Sequence, residues 1–168
     1  MTRSSWLPAL LLFAAAGCAH IGNGDGPIEG VQSITSDGAG GFVLCADYAH
    51  TVDSKTTPAP VRVSVDASGH QTGQADGGCS LPTSTGQPLS LTFADGTTVK
   101  PVFAGPDEWD LTATDAAGQK RWSTKLAYQD VESLFSDGSA LYVGVSAPQL
   151  LKLSLADGST LWKATLHR

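Results

Sequence analysis

The sequence predicts an all-β protein of about three similar antiparallel sheets, and three observations predict it. Apolar and polar residues alternate: Leu151, Leu153 and Leu155 are separated by Lys152 and Ser154. That period of two buries one face of a strand and wets the other. Asp-Gly pairs punctuate such runs at Asp37-Gly38, Asp95-Gly96, Asp137-Gly138 and Asp157-Gly158. Both residues tolerate the positive φ of tight turns, so each pair reads as a hairpin turn. The pattern also recurs. Trp122 and Trp162 stand 40 residues apart, and Asp95-Gly96 and Asp137-Gly138 stand 42 apart, with room for about four short strands per unit. No sustained 3.6-residue periodicity is found beyond the leader.

Residues 1–17 read as that leader. Arg3 supplies a positive start, and Leu7 to Ala16 is an apolar run too short to span a bilayer as a helix. The expected form is a signal helix. Ala15-Ala16-Gly17-Cys18 resembles the lipobox of bacterial lipoproteins. The resemblance implies cleavage before Cys18 and acylation of its sulfur, hence a membrane anchor made of lipid. Ala19 follows the cysteine, which by resemblance to enterobacterial sorting implies the outer membrane. Residues 18–30 are rich in Gly with Asn, Asp and Pro and read as a flexible tether. The repeat domain is expected over 31–168.

Charge and cysteine usage fit export. The chain carries 10 basic and 16 acidic residues, a net charge of −6. Loss of Arg3 with the leader makes it −7. Nucleic acid and a polybasic membrane-binding face are both disfavoured. With Cys18 assigned to lipid, Cys45 and Cys79 remain. They form either a disulfide of the oxidising envelope or two buried thiols, and the disulfide is the reading taken. No metal is expected, because His20, His50, His70 and His167 are scattered and no Cys-x-x-Cys occurs. Asn23-Gly24-Asp25-Gly26 lacks the downstream acidic ligand of a calcium loop.

The repeats follow in order. Val31 to Leu44 aligns with Val131 to Gly144. Ala49 to Pro60 reads as a polar, Pro-containing loop, and Val61 to Val65 as a strand. No Trp follows the next turn, and Cys79 lies in the Gly-, Thr- and Ser-rich stretch there. The disulfide is thus placed to hold the repeat without a Trp. The second unit runs from Leu89 to Trp122. Its strands are expected at Leu89–Phe93, Val99–Phe103 and Trp109–Thr114, although Pro101 weakens the middle one. The third runs from Val131 to Leu166, with strands at Ala140–Val145 and Leu150–Leu155. Each Asp-Gly reads as a turn and each Trp as core.

Asp137-Gly138, Leu141-Tyr142-Val143-Gly144, Leu151 to Leu155 and Asp157-Gly158-Ser159-Thr160-Leu161-Trp162 together resemble the PQQ-like, quinoprotein-type β-propeller repeat. The likeness is best over 131–166, less close over 89–122 and least over 31–78. Two families with such repeats set the expectations. The eight-bladed outer-membrane assembly lipoprotein implies a scaffold that binds other proteins. The PQQ-dependent dehydrogenases imply calcium held by an Asp/Glu/Asn cluster. Asp107, Glu108 and Asp110 form the densest acidic group, whose plain reading is a solvated loop before a strand. No Gly-x-Ser-x-Gly is present, and no cofactor is expected.

Propellers close with four to eight blades, and this chain supplies about three. Three outcomes stay open: self-association to complete a ring, a truncated or degenerate relative of a longer chain, or closure as a small sandwich or barrel. The functional expectation is a non-enzymatic binding or scaffold module of the envelope, with a protein partner or a second copy docking on strand edges or loops. The alternatives are a relative of a PQQ-dependent dehydrogenase and a relic without its own activity.

Overall fold

A computed structural model of the chain describes residues 24–80, 89–106, 108–127 and 129–168. The leader, Cys18 and Asp107 lie outside these residues. Among the described residues, twelve strands form three four-stranded antiparallel sheets, each a meander in chain order. Blade I holds β1 (Gly24–Ser36), β2 (Phe42–Val52), β3 (Lys55–Val65) and β4 (Gln71–Asp76). Blade II holds β5 (Leu91–Thr92), β6 (Thr98–Gly105), β7 (Glu108–Thr114) and β8 (Lys120–Ala127). Blade III holds β9 (Val131–Ser136), β10 (Ala140–Val145), β11 (Gln149–Ser154) and β12 (Thr160–Thr165). The three sheets are separate and propeller-like, so the single sandwich or barrel is not the answer.

Blade III is the middle of the molecule, although it comes last in the chain. Every residue of β10 is buried. Ala140 and Tyr142 pack with Leu44, Val63 and Ile28 of blade I. Leu141, Val143 and Val145, one residue out of phase, pack with Val99, Leu111 and Ala113 of blade II. The order in space is therefore II, III, I. A strand buried on both faces must be apolar at every position, and Ala140-Leu-Tyr-Val-Gly-Val145 is.

Tryptophans dock one blade on the next. Trp122 of β8 lies over Gly158, and its Nε1 donates to the Leu155 carbonyl at 3.0 Å. Trp162 of β12 lies over Gly69, where an added Cβ would come within 2.9 Å of the ring. Each Trp sits four residues after its own turn glycine, Gly118 or Gly158. In blade I the same place after Gly69 is Gly73, so blade I has no Trp to pass on. The relay runs II to III to I and stops.

The III–I seam is locked near the C-terminus. Leu166 is 2% exposed and its N–H donates to the Pro148 carbonyl at 2.8 Å. Gln71 makes two hydrogen bonds to the His167 backbone, at 2.8 and 2.9 Å. The Arg168 guanidinium stacks 3.7 Å from the Tyr48 ring and pairs with Asp25 at 2.7 Å and Asp76 at 3.0 Å. Three strands of blade I thus hold the chain end that leaves blade III.

The structure revises three boundaries. The tether expected over 18–30 already carries β1 from Gly24, with Ile28 2% exposed. Its glycines permit close approach rather than looseness: a Cβ at Gly26 would sit 3.1 Å from that of Ala49, and one at Gly30 would collide with Glu132. The polar loop expected at Ala49–Pro60 is the end of a long β2–β3 hairpin paired from Phe42↔Val65 to Val52↔Lys55. Its two-residue turn has φ of 49° at Asp53 and 63° at Ser54, the twist that suits a tight hairpin. The strand expected at Leu89–Phe93 shrinks to Leu91–Thr92. The register Leu91↔Val99 sets Leu89 opposite Pro101, which has no N–H to continue the ladder. Pro101 itself stays in β6, on the side that β5 leaves uncovered.

Candidate functional site

The Asp-Gly residues are turn-makers. Asp37 Oδ1 accepts the N–H groups of Ala39 and Gly41 at 2.7 and 2.9 Å. Asp95 accepts from the N–H and hydroxyl of Thr97, both at 2.9 Å. Asp157 accepts from the N–H and hydroxyl of Ser159 at 3.1 and 2.8 Å. Asp137 takes the N–H groups of Ser139 and Ala140 and the Tyr142 hydroxyl at 2.8 Å. Burial works to raise Asp137, but the bonds from Ser139, Tyr142 and Ala140 outweigh it and bring it to about 2. Asp66 and Asp115 do the same work, each accepting N–H groups two and four residues on. Sequence reading missed these two because their glycines stand three residues away, not adjacent. In a meander the first and third turns leave by the same end, so all six carboxylates gather at one end of the arc.

Cys45 and Cys79 are bonded, with Cα atoms 5.8 Å apart. Leu44 and Ala46 face blade III, so Cys45 between them faces away. The disulfide holds the segment after β4 across the face of blade I that, among the described residues, meets no other blade, the same face as Gly73.

The II–III seam is the less complete of the two. Beyond Trp122, and beyond Thr124 Oγ1, which donates to the Gly158 carbonyl at 2.6 Å, it opens into two cavities of about 310 and 340 Å³ that share Phe93 and Gly138. The first has an apolar floor of Phe93, Val99 and Leu155, with Arg121 at its mouth. Arg121 Nη1 donates to the Thr97 hydroxyl at 2.6 Å and lies 3.2 Å from Asp95. The backbone hydrogen bond from Thr97 is the main reason Asp95 sits below the usual carboxylate range, with Arg121 adding to it. This slot suits an apolar side chain with an acceptor beside it. Glu108 and Asp110 lie on β7, paired with Lys125 at 2.9 Å and the Ser123 hydroxyl at 3.3 Å. Among the described residues, no three or more His, Cys, Asp or Glu side chains are grouped to hold a metal.

One carboxylate stands out in the III–I seam. Gln32 Nε2 donates to Glu132 at 2.8 Å and to Asp47 at 3.3 Å. Burial, then the nearby charges of Asp47 and Asp130, raises Glu132 to about 7, with Glu29 adding to the repulsion and the Val31 backbone opposing it. The folded pKa exceeds the unfolded one, so this contribution to stability is full below about 4.5 and is lost as pH rises through 7. Glu132→Gln is therefore expected to raise Tm at pH 8 and to leave it unchanged at pH 4, read by thermal melts across that range.

No protein-family model matches the chain, and no curated protein matches it. Among solved structures, BamB from Moraxella catarrhalis aligns over 83% of this chain and 37% of its own, at 17% identity and a TM-score of 0.36. The chain spans a little over a third of that structure's length, and the likeness is a distant, propeller-like one.

Proposed function

We propose that this chain is a lipid-anchored protein of the bacterial cell envelope, held at the outer membrane through Cys18, and that its blades form a non-enzymatic binding module for another polypeptide. The observation that carries the reading is the half-open seam between blades II and III. Among the described residues, blade II keeps an open seam toward blade III, with two cavities that share Phe93 and Gly138. The disulfide supports an oxidising compartment, and the lipobox-like run supports the anchor.

Two measurements test this. Cys18→Ala is expected to move the protein from the membrane fraction to the soluble fraction of producing cells. Photo-reactive residues placed in turn on exposed positions of all three blades are expected to trap one recurring polypeptide from neighbouring sites. Adducts from no position, with the wild-type chain in the membrane, would contradict the binding role.

A further inference from the structure

The middle hairpins of the three blades close at the same end of the arc. β1 enters blade I at Gly24, paired with Thr51 beside the β2–β3 turn. The β6–β7 hairpin closes at Gly105↔Glu108, and the β10–β11 hairpin at Val145↔Gln149. β8 ends at Ala127 and β9 begins at Val131, so these ends of blades II and III adjoin. Asp25 and Ile28 of β1 line one hollow with Leu166 and Arg168, which follow β12, so those of blades III and I adjoin as well. The six turn-making Asp carboxylates lie at the opposite end.

The two ends differ in character. Among the described residues, the exposed large hydrophobics are Val52, Val102, Phe103 and Leu161. The first three stand at the middle-hairpin end. The Phe103 ring meets Trp109 edge to face at 5.4 Å, and Lys55 is exposed opposite Val52. Ion pairs neutralise much of the charge at this end: Arg168 with Asp25 and Asp76, and Lys125 with Glu108. At the other end Arg121 pairs with Asp95 and His70 lies beside Asp66, but six carboxylates gather there. Aromatic and aliphatic tips with lysine beside them suit a lipid interface, and anionic headgroups repel a carboxylate-rich end.

We propose that the middle-hairpin end, with Val52 on blade I and Phe103 on blade II, rests on the phospholipid headgroups of the leaflet that holds the Cys18 acyl chains. The inference rests on the lipid anchor proposed above and orients the domain upon it. Cys18 and Gly24 are 24 − 18 = 6 residues apart, a reach of at most about 22 Å. The eleven residues of β2 span about 36 Å from one end of blade I to the other. The anchor thus enters the domain at the apolar end, on a leash shorter than the blade is tall. The half-open seam lined by Asp95, Gly138 and Ala156 then faces away from the lipid, where a partner dissolved outside the bilayer reaches it.

The test uses the full chain purified from producing cells in its membrane-anchored form. It is reconstituted in vesicles of phosphatidylethanolamine and phosphatidylglycerol containing a gadolinium-chelating lipid. Nitroxide labels are placed singly through Val52→Cys and Phe103→Cys at one end, and Ala39→Cys and Ala117→Cys at the other. Gadolinium is expected to enhance relaxation at least about fivefold more at Val52 and Phe103 than at Ala39 and Ala117, given the length of a blade. A Gly/Ser insertion after Asn23, as long again as the tether, is expected to keep that contrast, because the tips themselves hold the lipid. Equal enhancement at both ends, or a reversed order, would overturn the orientation while leaving the anchor standing. Loss of the contrast in the longer-tether variant would make the tether its sole cause and overturn the docking. Dipolar broadening between labels on different chains at Val52 or Phe103 would put a second copy on this end and also overturn it. Mass spectrometry of the same sample separates the two readings: a mature chain without acyl groups on Cys18 would overturn the anchor and the docking together.

Discussion

Trp122→Ala is expected to lower Tm by on the order of 10 °C or more. Trp122 is 7% exposed in the only apolar cluster joining blades II and III among the described residues, and its indole N–H is bonded. Removing a buried Trp costs about 3–5 kcal/mol, and the Leu155 carbonyl loses its partner as well. A domain of this size has roughly 5–15 kcal/mol in all, so this single change takes a large share. Trp162→Ala is the internal comparison. Trp162 is half-buried and its Nε1 has no hydrogen-bond partner, so its loss is expected to cost less. Equal losses at the two positions would contradict the account of the docking relay. Differential scanning calorimetry of both variants decides it. In Trp122→Ala the melt is also expected to split, blade II unfolding before the III–I pair.

Removing the disulfide is the second large effect. Cys45 and Cys79 close a loop of 34 residues, for which the chain-entropy estimate is roughly 3–4 kcal/mol. Cys45→Ala with Cys79→Ala is expected to lower Tm by on the order of 10 °C. Reductant is expected to lower the wild-type Tm by a similar amount and to leave the double variant unchanged. A wild-type melt insensitive to reductant would show that blade I holds itself without the bridge. The physical reason for the bridge is Gly73. Where blades II and III present a Trp, blade I presents no side chain, and covalent closure covers the vacant face.

Much of the fold was legible because each blade is local. Ala140–Val145 is found with the boundaries expected, and β7 and β11 lie within one residue of theirs. Alternation and Asp-Gly turns act over a few residues, so a short window suffices to see them. Blade I was harder for the same reason. The β2–β3 hairpin from Ala49 to Pro60 is exposed along most of its length, so no apolar alternation marks it, and its turn uses Asp53-Ser54 in place of a glycine pair. The Gly-rich start of β1 read as slack, whereas Gly26 and Gly30 serve backbone approach. The disulfide was legible from the cysteine count. The order II, III, I was not, because a repeat does not state which copy it meets. Nor was the Arg168 clamp, whose partners Asp25, Tyr48 and Asp76 lie about ninety or more residues away.

The arc ends on polar faces, and this bears on whether it needs a ring. Asp110, Thr112 and Ser123 form a hydrogen-bonded row on the outer face of blade II. Arg62, Ser64 and Gly73 lie on that of blade I. Terminal units with polar outer faces are what keep an open stack of repeats soluble.

The most direct test of the central claim, a self-contained arc in the order II, III, I, is the mass of residues 19–168 by light scattering over a range of protein concentration, with a cooperative melt recorded on the same sample. The account predicts a folded monomer throughout. A stable dimer or larger ring would contradict it, and would mean that the outer faces of blades I and II are seams that another copy completes.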